Sequence, residues 1–300
     1  MLKGIQGQNP NFLADLSRIQ GRIASTNKQI TSGYRVNQAS DDPQSIASII
    51  KLQGQIDHLT QTQANLSTAK SQNAMADGAL QTATTILDQL TSIASQGATG
   101  TTTAEARAVL ADQVKQLAGQ LVGIANTSAN GQHIFGGDDP TVAPYAFNWT
   151  SGTNGVVSNT TSAATALLDD GQGSTISAGM SAADIFDSGS NSIFEAAYSL
   201  GQALANNDTA AAQTALGSLK SAGTYLSQVS ESYGNRETWI AQATETASNR
   251  LSTLQASLAS IRETDLPSAI THMTTDQTAL QAAISAHASL SNKTLFDYFG

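Results

Sequence analysis

The chain has no Cys among its 300 residues, only 12% charged and 5% aromatic residues, and five Pro. Without Cys there is no disulfide framework and no thiolate metal site. With 40% apolar residues but few aromatics, burial must come from Leu, Ile and Ala, in thin stripes rather than a thick globular core. No run approaches the roughly 18 apolar residues of a membrane span. The opening MLKGIQGQNPNFLADLSRIQ lacks the unbroken apolar stretch of a signal peptide. The expectation is no membrane insertion and, if the chain leaves the cell, export without a cleaved signal.

Lys and Arg are missing altogether from Gln116 to Leu219, where eight acids fall: Asp138, Asp139, Asp169, Asp170, Asp184, Asp187, Glu195 and Asp208. The middle of the chain thus carries most of the net charge of -9, which makes nucleic acid and anionic lipid poor partners.

Chemistry-bearing patterns are also scarce. His58, His133, His272 and His287 are scattered without paired ligand spacing. Ser48–Lys51 and Ser67–Lys70 match S-x-x-K but lie inside a helical repeat without the S-D-N or K-T-G companions of acyl-transfer enzymes. Asp138-Asp139 lacks the alternating carboxylates of a calcium loop and reads as an acidic turn. No catalytic, cofactor-binding or metal residue is therefore assigned, and the chain reads as a non-enzyme.

What the sequence has in abundance is heptad periodicity. From Gln44 to Gln96, Leu52, Leu59, Leu66, Asn73, Leu80, Leu87 and Ala94 recur every seven residues, with Ile49, Ile56, Ala69, Ala76, Ala83 and Leu90 as a companion row. This is a coiled-coil seam with Asn73 as a polar register residue. Ala104–Ser128 carries a similar stripe, including Val109, Leu110, Val114, Leu117, Leu121 and Ile124. So does Ala210–Arg262, with Leu226, Val229, Tyr233, Ile240, Ala243, Ala247, Leu251, Leu254, Leu258 and Ile261. Between them, 136–191 is rich in Gly, Ser, Thr and Asn, with short apolar runs at Gly155–Val157 and Ala166–Leu168.

The fold expected is mainly α with a small β-rich insertion: a long antiparallel helical bundle, a coiled-coil rod built from both chain ends, with an outer β-domain at its tip. The expected domains are a terminal coiled-coil assembly domain (1–35 plus 265–300), a helical rod (36–135 plus 192–264) and a small acidic outer domain (136–191). Thin stripes at the two ends, Leu13, Leu16, Ile23 and Ile30 against Ile270, Leu280, Ile284, Leu290, Leu295 and Phe296, are the candidate assembly interface.

One segment is specific. Ile30-Thr31-Ser32-Gly33-Tyr34-Arg35-Val36-Asn37-Gln38-Ala39-Ser40-Asp41-Asp42-Pro43 resembles the "SSG-aromatic/Leu-R-I-N-S-A-x-D-D" turn of bacterial flagellins and their junction relatives. Physically, Gly33 frees the backbone to turn, and Asn37, Asp41 and Asp42 are suited to cap the following helix. With Arg35 these form the family turn motif. Asn130–Gly137, followed by Pro144-Tyr145-Ala146-Phe147, resembles the exit from the rod in the hook-associated branch of the family, with His133 in place of the usual Tyr. The tail Asp265–Ile270 through Leu295–Phe299 is similar to the ending of that branch.

The resemblance implies a structural component of the bacterial flagellum, an adaptor of the hook-filament junction. Its implied partners are copies of itself in a tubular assembly, the preceding hook-associated junction protein, flagellin and a flagellar export chaperone. Its implied location is extracellular, after type III export. Filament flagellins recognised by the vertebrate innate receptor carry RELAVQ where this chain has Thr91–Gln96, so activation of that receptor is not expected. Two other readings stay open: a minor or short filament flagellin, and a surface binding module acting through the acidic middle segment.

Overall fold

The computed structural model describes residues 8–150, 154–159 and 163–291. Among these described residues, seven α-helices run in the order α1 (Gln8–Ser32), α2 (Pro43–Gly97), α3 (Ala104–Ala125), α4 (Ala182–Phe186), α5 (Ile193–Ala205), α6 (Thr209–Arg262) and α7 (Leu266–Ser291). Between α3 and α4 lie three antiparallel two-stranded pairs. They are β1 (Ser128–Ala129) with β2 (Gln132–His133), β3 (Tyr145–Phe147) with β4 (Val156–Ser158), and β5 (Leu167–Asp169) with β6 (Thr175–Ser177). The mainly helical class with a few small strands agrees with the periodicity.

The chain forms two compact units, one from residues up to Asp57 together with those from Arg250 on, the other from His58–Asn249. In the second unit the predicted heptad rows are the buried face of α2: Leu59, Leu66, Ala69, Asn73, Ala76, Leu80, Ala83, Leu87, Leu90 and Ala94 are all buried. They face Leu219, Leu226, Val229, Tyr233, Ile240, Ala243 and Ala247 of α6. Asn73 meets Tyr233, and Leu87 approaches Gly223, so the two helices run antiparallel. On α3, Leu110, Val114, Leu121 and Val122 point inward, whereas Val109 lies one position off the stripe and is exposed.

The strand-bearing segment shares this core. Phe135, Tyr145, Val156, Ile185, Phe186, Ile193 and Phe194 belong to the same buried cluster as the helices. Phe186 makes an edge contact with Phe135 at 5.6 Å, and Phe194 one with Tyr145 at 4.8 Å. Entry into the segment is set by Asn130 (φ 53) and Gly131 (φ 79), both in the left-handed region that a two-residue hairpin turn requires. Asn126 then pairs with Tyr145 as a strand would, donating from Nδ2 to its carbonyl at 2.7 Å and accepting its N–H at 3.0 Å. At Gly136 a Cβ would meet Pro140 Cα at 2.7 Å, which explains the glycine of the exit motif.

Arg107, 5% exposed, holds one end of this unit together. It donates to the carbonyls of Gly97 (2.8 Å) and Thr99 (2.7 Å) and to Asn207 Oδ1. A cation thereby neutralises the C-terminal end of α2 and ties the α2–α3 connection to the α5–α6 turn.

Candidate assembly interface

The first unit is organised by its two terminal helices. On α1 the residues drawn away from solvent include Phe12, Leu16, Ile19, Ile23, Thr26 and Ile30; on α7 they include Ala269, Met273, Asp276, Leu280, Ala283 and His287. Both rows step by three and four, the spacing of a coiled-coil seam. Phe12 stacks on His287 with ring centres 4.0 Å apart, and Arg22 binds Asp276 bidentately, Nη2 donating to Oδ1 at 2.7 Å and Nε to Oδ2 at 3.2 Å. These pairings fix an antiparallel helix pair. The seam holds one charged residue, Asp276. Bonds from Arg22 hold its carboxyl below the usual range, helped by the charges of Arg22 and His272 and opposed by desolvation.

Where the helix pair ends, the family turn motif ties the chain to itself. Gly33 adopts φ 74, and its carbonyl accepts the N–H of Thr264 at 3.0 Å. Tyr34 forms an antiparallel bridge with Glu263, while the N–H groups of Arg35 (2.7 Å) and Val36 (3.3 Å) both donate to Arg262 O. The Arg262 guanidinium lies over the Tyr34 ring at 4.1 Å. Arg35 reaches Ile261 O at 2.8 Å and Asp42 at 3.0 Å.

The three polar motif residues divide the capping work. Asp42 accepts from Ser45 N (3.2 Å) and Oγ (2.7 Å), as an N-cap does at the start of α2. Asp41 accepts the N–H groups of Asn37 and Gln38, both at 2.9 Å, and Asn37 Nδ2 donates to Tyr34 O at 2.7 Å. Hydrogen bonds hold both carboxyls below their ordinary range, those of the Asn37 and Gln38 N–H groups at Asp41 and those of Ser45 and Arg35 at Asp42.

The predicted interface residues separate into two sets. Leu16, Ile23, Ile30 and Leu280 lie half-buried along the helix pair. Leu13 (60% exposed), Ile270 (49%) and Ile284 (50%) face outward. Leu266 of α7 and Ile50 of α2 are exposed as well, so this unit displays several large apolar side chains. The side chain of Leu290 and all of Leu295 and Phe296 lie outside the described residues. Sequence reasoning missed Phe12, Asp276 and His287 as seam members; their heptad phase with Leu16, Ile23 and Leu280 was the available signal. Among the described residues there is no group of three metal-ligating side chains, and no helix is long and apolar enough to cross a membrane.

Residues 8–139 match the bacterial flagellin N-terminal helical region. A flagellin of Clostridium tyrobutyricum is 31% identical over 118 residues, 39% of this chain and 31% of that protein. Flagellin FlaB1 of Treponema pallidum is 32% identical over 111 residues, 37% of this chain and 39% of that protein. The matches thus span only about a third of the length of these curated relatives.

Among solved structures, one from Vibrio parahaemolyticus described as a flagellar hook-associated protein superposes with a TM-score of 0.64 at 18% identity, over 74% of this chain and all of that one. Hook-associated protein 3 of Legionella pneumophila gives 0.60 at 15% identity, over 71% and 98%. The chain is thus similar to the flagellin N-terminal helical region over residues 8–139 and shares its fold with these two hook-associated proteins.

Proposed function

We propose that this chain is an adaptor of the hook-filament junction, a structural and not a catalytic protein of the bacterial flagellum. Its terminal segments, 1–35 and 265–300, form the assembly domain and pack with those of neighbouring copies; 36–135 with 192–264 is the helical rod, and 136–191 the outer part. Copies of the same chain, the preceding hook-associated junction protein and flagellin are its partners outside the cell, and an export chaperone accompanies it before type III export without signal cleavage. The observation that carries this reading is the likeness in fold, which takes in the whole of a hook-associated protein.

The test is immunogold labelling of intact flagella with antibody raised against the full chain and adsorbed on filament flagellin. Label confined to the hook-proximal end of each filament is the expected result. A second reading, a minor filament flagellin, is favoured by the names of the curated relatives, and it predicts label along the filament. Absence of label from flagella would overturn both.

A further inference from the structure

The α2–α6 seam changes character at one level. On one side Leu66, Ala69, Ile240 and Ala243 form a small buried cluster; on the other, Ala76 and Val229 belong to the main core. Between them stand Asn73 and Arg236, each 5% exposed. Asn73 Nδ2 donates to Tyr233 O at 3.2 Å. The Arg236 guanidinium lies 4.5 Å from the Tyr233 ring centre, and its Nε donates to Ser177 O at 3.0 Å. Among the described residues, Asn73 Oδ1 and Arg236 Nη1 have no hydrogen-bond partner and no carboxylate pairs with Arg236.

Ser177 belongs to β6, so the hairpin supplies the acceptor for this buried cation. The same hairpin touches the helices on the far side of the polar level. Leu168 packs on the Leu66 cluster, and Gly171 (φ 76) sits so close to α2 that a Cβ would come within 2.6 Å of Leu59 Cδ2. Beyond it, Met180 Sδ accepts from Ser232 Oγ of α6 at 3.8 Å. The hairpin therefore reads positions on both helices at once.

We propose that Asn73, Arg236 and the β5–β6 hairpin form a register lock, in which docking of the hairpin and the axial register of α2 against α6 are one event. A slip of α6 would carry the Arg236 charge into the apolar cluster beside it and separate Asn73 from Tyr233 O, leaving buried polar groups uncompensated. The slip would also pull Ser177 and Gly171 out of alignment with their two helices. A two-stranded hairpin is marginal by itself, so it stays formed only while that alignment holds.

Two readouts on the full chain test the coupling. Because the chain has no Cys, Lys70→Cys and Glu237→Cys, both at exposed positions, accept spin labels cleanly, and their separation reports register. Hydrogen exchange at Leu168 and Ile176 reports hairpin docking. Gly171→Val alters the hairpin side alone. It is expected to speed exchange at those amides by about tenfold or more and to convert one narrow spin-label distance into a distribution spread by about one helical turn, 5 Å. Arg236→Met, or Arg236→Lys should the first variant lose its helical circular dichroism, is expected to do the same from the helix side. A freed hairpin with an unchanged distance distribution in Gly171→Val would overturn the proposal. So would full hairpin protection in a folded Arg236 variant whose distance has spread.

Discussion

A single carboxylate, Asp276, gives the terminal helix pair a pH dependence. Its folded-state value is depressed, first by the hydrogen bonds from Arg22. Such a group stabilises the fold above its unfolded value near about 4 and loses that contribution as pH falls through the folded value. Asp41 and Asp42, depressed by their own hydrogen bonds, act in the same sense at the adjoining turn. The helix pair is thus expected to loosen in acid. Asp276→Asn should lower helicity at neutral pH and flatten its acid titration, followed by circular dichroism of the full chain; an unchanged titration would refute this. Arg107 is the opposite case, a buried cation among neutral acceptors. Arg107→Ala is expected to cost about 2–4 kcal/mol, measured by urea unfolding. Both buried arginines were legible in phase, since Arg107 precedes Leu110 and Val114, and Arg236 lies between Tyr233 and Ile240, each in its helix's apolar row. What the pattern could not supply was their partners, main-chain carbonyls of segments distant in sequence.

Among the elements, the long helices were the most readable because each turn repeats the same instruction, apolar residues at steps of three and four. The strands were not, since β1 and β2 have two residues each and β3 to β6 three. Pieces of that length have no period, and their placement depends on side chains such as Asn126 and on aromatic contacts. Helix α5 was not read as an element of its own for a different reason: it is amphipathic, with Ala196, Ala197, Leu200, Ala203 and Leu204 buried and Glu195, Ser199 and Gln202 along its outer edge, but at 13 residues it is short and three of those five buried side chains are Ala. Its packing depends on Gly201, where a Cβ would lie 2.5 Å from Trp149 Cζ2. Gly201→Val is expected to expel that ring and shift Trp fluorescence to the red while α5 stays helical. At the start of α2, Asp42→Ala should remove the N-cap, read as a lower thermal midpoint.

At the scale of the whole molecule, the two units depend differently on the chain ends. The core around Leu80, Leu121 and Leu219 draws only on residues between His58 and Asn249. Removing residues 1–20 is therefore expected to leave its unfolding transition in place while the truncated chain fails to enter flagella in a strain lacking the intact protein; normal incorporation would sink the assembly role of the terminal helices. The pairing of the two terminal helices was visible in the sequence as matched apolar stripes at both ends, but the clasp between the two turns was not, because it is made chiefly of main-chain groups that no pattern of side chains announces. That clasp joins positions as far apart as Arg35 and Ile261, 226 residues along the chain. A polypeptide emerging N-terminus first, from a ribosome or through a narrow channel, holds Gly33 to Val36 idle until Ile261 to Thr264 have followed. The order of emergence therefore makes the terminal unit the last to close, however quickly each of its helices forms.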